Sequence, residues 1–155
     1  MPDPVSLQAE RSSWMSCLSQ AESARLEAAW TALEPTPLHR WLRKPETGLV
    51  MLRGRAGGSG RPFNLGEMTM TRAAVLVEEG ARPLTGFGYV AGRADRHAEL
   101  AALFDALLQD EARGPALLAE LIQPLRAAAD AARSARAAEV APTRVDFTTM
   151  VRGHG

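Results

Sequence analysis

The chain has 155 residues, 46% of them hydrophobic, with 18 Lys and Arg against 18 Asp and Glu. That length suits a single domain, residues 1–155, able to bury a core without disulfides or metals. The balanced charge argues against a protein held to nucleic acid by bulk electrostatics, which needs an excess of cations facing phosphates.

Residues 1–6 are expected to fray, and the acids and prolines of the N-terminus do not read as a signal peptide. A first helix is expected from about Leu7 to Leu18, with Leu7, Trp14 and Leu18 on one face and Arg11 beside it. Cys17 is the one cysteine, so no intramolecular disulfide can form, which fits a reducing cytoplasm. It reads as a packing residue rather than a nucleophile. A second helix is expected from about Ala21 to Leu33, striped by Leu26, Trp30 and Leu33 and ended by Pro35 and Pro37. The two form a helical hairpin.

Strands follow. A short one is expected at 38–43, then a turn at Pro45-Glu46-Thr47-Gly48. The next runs from Leu49 to Arg55, with Leu49, Met51, Arg53 and Arg55 on one face and Val50, Leu52 and Gly54 on the other. Gly57, Gly58 and Gly60 require a loop. Glu67 to Arg72 alternates with Met68 and Met70 on one face, and Val75 to Val77 extends it. After a turn near Gly80, Phe87, Tyr89 and Ala91 alternate with Gly88 and Val90. Strands joined by short connections imply an antiparallel sheet. Gly92 breaks the last strand. Leu100, Leu103, Phe104, Leu107 and Leu108 then recur at helical spacing as one apolar stripe. Pro115 starts another helix, with Leu117, Leu118, Leu121, Ile122 and Leu125 as its apolar face. Pro124 is expected to kink or restart it. An Ala- and Arg-rich helix covers 127–138, and Thr143 to Val151 reads as a last strand or extended tail. The fold class is therefore α+β, with an N-terminal helical hairpin, a central antiparallel sheet, C-terminal helices and the tail. No apolar run approaches the roughly 18 residues of a membrane span.

The strand-to-helix join is the first place to look for chemistry, because Arg93, Asp95, Arg96, His97 and Glu99 crowd it. Arg93 can hold an anion beside the unpaired amides of a helix start. His97 offers an imidazole for proton transfer, and Glu99 can orient or accept a proton. The plainer reading is a solvated first turn in which Asp95 and Glu99 offset the dipole. His97 has no second His or Cys in register, so no metal site is expected. The glycines at 57, 58 and 60 lack the Lys-Ser/Thr of a phosphate loop and read as a flexible hairpin loop able to order on a partner. Arg72, Asp146 and Arg152 read as inter-subunit ion-pair candidates. Val145 and Phe147, with Val151, read as an apolar face that another subunit covers.

Several stretches in order carry a resemblance: Arg11-x-x-Trp14-Met15, Glu46 through Val50, Gly57-Gly58-x-Gly60-x-x-Phe63, Gly66 through Ala73, Gly88-Tyr89-x-x-Gly92-Arg93 with His97-Ala98-Glu99, and Val145-Asp146-Phe147 with Met150 through Gly153. Together they resemble the G subunit of the bacterial carbon–phosphorus lyase core complex, over about Arg11 to Gly153. Thr148 departs from the pattern, which places an aromatic there. The resemblance implies phosphonate catabolism in the cytoplasm and partnership with the I, H, J and K subunits in a two-fold assembly. It implies that the I subunit as nucleosidase, with the L subunit, displaces adenine from ATP by a phosphonate, giving a ribose 1-phosphonate 5-triphosphate. The J subunit then breaks the carbon–phosphorus bond with an iron–sulfur cluster. ATP would be a substrate of the complex, with no cofactor bound by this chain alone. One cysteine cannot hold such a cluster, which suits a supporting subunit. No catalytic residue is carried over by the resemblance. A pure scaffold and an independent enzyme using His97 remain the rival readings.

Overall fold

A computed structural model describes residues 4–78 and 82–143. Helix α1 (Pro4–Gln20) and helix α2 (Ser23–Thr31) come first, so α1 already begins inside the stretch expected to fray. Three strands follow: β1 (His39–Arg55), β2 (Pro62–Val77) and β3 (Leu84–Ala91), antiparallel in the order β1-β2-β3. Helix α3 (Asp95–Leu107) crosses them, and α4 (Gly114–Leu117), α5 (Gln123–Val140) and a short 3₁₀ turn (Ala141–Thr143) are the last of the described elements. This is the expected α+β class. The tail after Thr143, with Val145, Asp146, Phe147 and Arg152, lies outside the described residues.

β1 corrects the expected turn at Pro45. The strand runs straight through Pro45 and Gly48, and the hairpin turns only at the glycines, where Ala56–Gly58 forms a short 3₁₀ turn with Gly57 at φ 58° and Gly58 at φ 80°. Register shifts between Trp41 and Arg43 and between Arg43 and Glu46 absorb the proline, which has no N–H to give to a ladder. A third shift follows Leu52, opposite Gly66 at φ 151°. The two short strands and their turn are thus one long strand.

Helix α3 also departs from the single stripe. Ala98 and every residue from Leu100 to Leu107 are buried. A helix apolar on all sides belongs inside, and α3 lies between the sheet and a second helical layer. On the sheet side, Gly86 and Gly88 of β3 face it. A Cβ on Gly88 would stand 2.0 Å from the Ala98 carbonyl oxygen, and one on Gly86 would stand 1.9 Å from that of Ala102. The glycines and Ala98, Ala102 and Ala106, four residues apart, let helix and strand approach backbone to backbone. On the other side, Trp14 and Leu18 of α1, Leu26 of α2, and Leu117, Leu121, Ile122 and Leu125 close the same core. Trp30 meets Phe104 and His39 edge-on, and His39 meets Trp41 likewise, which pins α2 to the root of β1. Leu118–Ile122 is a single wide π turn that loosens the hydrogen-bond ladder beside the missing donor of Pro124, and α5 starts at Gln123, so of the expected kink or restart the helix takes the restart.

Candidate functional site

The strand-to-helix join is held by a threonine. Gly92, at φ 87°, ends β3 and donates to the Thr69 carbonyl at 2.8 Å. Thr71, fully buried, donates to the Gly92 carbonyl at 2.7 Å and accepts the Ala94 N–H at 3.0 Å. Its single proton is thereby used, so Thr47, 3.0 Å away, is the donor in their contact. The turn is rigid, and the side chains it presents are separated. Arg93 is exposed, with no hydrogen-bond or ion partner among the described residues. His97 turns to α1, its Nε2 donating to the Leu18 carbonyl at 2.7 Å. Glu99 is gripped by Arg96 at 3.0 Å. Arg96 also pairs in a two-pronged contact with Glu27, at 2.8 and 2.9 Å. Hydrogen bonding to Arg96 lowers the Glu27 carboxyl below its ordinary range, and Glu27, then Glu99, push Arg96 above its own. The join is thus a strut between α2, α3 and the end of α1.

Arg72 lies on the sheet face turned away from α3. It reaches across the strands to Glu46 at 2.7 Å, and Arg43 reaches the same carboxylate. The two guanidiniums, Arg43 first, hold Glu46 below the usual carboxylate range. Gly57, Gly58 and Gly60 form the exposed hairpin tip, where the Gly60 N–H donates to the Ala56 carbonyl and Arg55 donates to the Gly60 carbonyl.

A buried carboxylate missed in the sequence is the best-connected polar group. Asp105, fully buried in α3, accepts from Arg11 at 3.1 and 2.7 Å, from the Trp14 indole at 2.8 Å and from the Phe87 backbone at 2.9 Å. Arg11 also donates to the Thr85 carbonyl at 3.2 Å, as Gln109 does at 2.9 Å, and lies over the Phe87 ring. One aspartate joins α1, α3 and the outer edge of β3. The available signal was an acid inside an apolar helix, with Arg11 and Trp14 three apart on another. Beside this knot an open groove of about 590 Å³ runs between α1 and β3, lined by Gln8, Ser12, Met15, Phe87 and Tyr89. Arg93, His97 and Glu99 are not among its lining residues. Among the described residues, no group of three His, Cys, Asp or Glu could hold a metal ion, and no helix is long and apolar enough to cross a membrane.

Comparison with known proteins gives two findings. A family model described as phosphonate metabolism protein PhnG matches residues 9–153. The chain is 45% identical over 145 residues to the alpha-D-ribose 1-methylphosphonate 5-triphosphate synthase subunit PhnG of Rhizobium meliloti (strain 1021), covering 94% of this chain and 90% of that protein.

Proposed function

The chain belongs to the PhnG family of phosphonate metabolism proteins, and we propose that it is the supporting, non-redox subunit of an assembly that couples a phosphonate to ATP. In this reading a phosphonate displaces adenine from the ribose C1, with the I and L subunits supplying the reaction and the I, H, J and K subunits forming the cytoplasmic core complex. ATP is the substrate of the assembly, and this chain holds no cofactor by itself. The similarity to a named synthase subunit along almost the whole chain carries the proposal. The internal use of the ionisable groups supports it. His97 is spent on a carbonyl of α1 and Glu99 on Arg96, so the side chains best suited to acid–base work brace helices together. General acid–base catalysis needs such groups within reach of a substrate proton.

The test is adenine release from ATP and methylphosphonate, measured by chromatography. The purified chain alone is expected to release none. The co-encoded subunits together are expected to release it, and to stop when this chain is left out. Enzyme-like release by the chain alone overturns the proposal. Arg93→Ala separates a ligand contact from a scaffold. Lower turnover with assembly intact on gel filtration places Arg93 on an anion, whereas unchanged turnover favours the scaffold reading.

A further inference from the structure

The third strand stops supporting the hairpin early. The last β2–β3 pair is Met70 with Ala91, while β1 and β2 stay paired out to Arg55 and Pro62. Residues 49–55 and 62–69 therefore project as a two-stranded ribbon beyond the sheet. One side of it is apolar. Val50 pairs with Met68 and Gly54 with Phe63, Leu52 follows two residues after Val50, and Leu65 lies over Gly54. Phe63 is 47% exposed, Leu65 63% and Leu52 40%. A lone two-stranded ribbon is marginal in water, and contiguous exposed apolar side chains mark an interaction site. The tip is of one charge. Residues 47–66 contain Arg53, Arg55 and Arg61 and no acid, and Arg53 and Arg55 line a cleft with Gly58 and Pro62 at the turn.

We propose that this ribbon is a docking arm that enters an apolar cleft, lined with carboxylates where the tip lodges, on a different subunit of the same assembly. The inference rests on the reading of the chain as a subunit. A second copy is a poor mate, because its tip carries the same three arginines, Glu46 of β1 and Glu78 just past β2 are already held by Arg43, Arg72 and Arg40, and Glu67 is the one other acid of the two strands. Apolar anchors on one side of the ribbon supply burial, and the three arginines select a carboxylate-rich seat through charge-assisted contacts. Phe63 is the aromatic anchor of the kind that dominates such interfaces.

The experiment mixes the purified chain with the purified co-encoded subunits and follows assembly by gel filtration. Three forms are compared: the natural chain, L52D/L65D, and R53E/R55E. Each variant alone should keep the circular dichroism and melting temperature of the natural chain, because the altered side chains are exposed. Each should lose assembly by about tenfold or more in affinity, and assembly of the natural chain should weaken as salt rises. A photo-crosslinker at Leu65 should mark a different subunit, whereas one at Val140 should not mark the same site. Undiminished assembly of folded variants overturns the arm while leaving the subunit reading standing. A crosslink to another copy of this chain, or arm-dependent binding to anionic lipid vesicles in place of a subunit, overturns the stated occupant. Failure of the natural chain to join any subunit overturns the subunit reading, and the arm with it.

Discussion

Asp105 has four donors aimed at it and no contact with water. Asp105→Ala strands the Trp14 indole, the Phe87 amide and the Arg11 charge together. Removing one partner of a buried pair costs about 3–5 kcal/mol; Arg11 keeps a 30% exposed side chain, so about 3 kcal/mol is expected in urea unfolding. Asp105→Asn keeps an acceptor and should cost less than Asp105→Ala. The sequence held the pieces without the connection: Arg11 and Trp14 stood out as a pair, but spacing within a helix says nothing about a partner 94 residues away. His97 and Glu99 were legible as ionisable and near a turn; that they brace α1 and Arg96 was not, because the partners lie in other elements. The Glu27–Arg96 pair gives a pH prediction. Its carboxyl is lowered in the folded chain, so the contribution is fully present above the ordinary carboxylate range and is lost as pH falls through the lowered value. Melting temperatures measured from neutral to acidic pH should therefore fall less steeply for Arg96→Ala than for the natural chain.

At the scale of elements, the join of β3 and α3 was legible because Gly92 and the change of period mark it. The closeness of the two was not. The alternation of Phe87, Tyr89 and Ala91 with Gly88 and Val90 does not say which half faces the core, and it is the half with the glycines that does. Phe87 and Tyr89 are both exposed, Tyr89 at 47%. The glycines give a sharp contrast. Gly88→Ala places a methyl against the Ala98 carbonyl, so α3 must lift from the strand. Overpacking a core costs typically 1–3 kcal/mol, and more where backbone must move; about 3 kcal/mol or more is expected by denaturant titration. Gly48→Ala meets nothing within 4 Å and should leave stability unchanged or slightly raised through the lower entropy of the unfolded chain. Equal losses at the two positions would mean that the close approach of α3 does not control stability. The turn expected at Pro45 failed for a related reason: proline forbids a ladder bond at its own nitrogen, and a register shift satisfies that rule as well as a turn does.

The whole molecule divides into a packed body and an arm, and this division follows from where the buried residues lie. The buried apolar core draws on α1, α2, β2 from Ala73 onward, β3, α3 and the helical run up to Leu125, Trp30, Leu33 and Trp41 pack against it, and no residue from 50 to 68 takes part. The fold class was legible because strand and helix periods are written locally. The arm was not, since alternation reads alike for a strand that backs a core and for one that stands in solvent. If the division is right, the body should fold without the arm. Leu49 and Thr69 face each other across the ribbon, so replacing residues 50–68 by Asn-Gly closes the hairpin with a two-residue turn of the favoured type. The shortened chain loses the three arginines and the apolar side chains of the ribbon together. No residue that it removes belongs to the core, so near-ultraviolet circular dichroism should retain the buried Trp14 signal. The melting temperature should move by only a few degrees, about what 1 kcal/mol shifts in a domain of this size. The change should be upward if the free arm frays and strains the sheet's end, and slightly downward if its ladder stiffens β1. A collapse of tertiary signal would show that the arm folds back to complete the body, and that its exposed apolar side chains serve the fold rather than a partner.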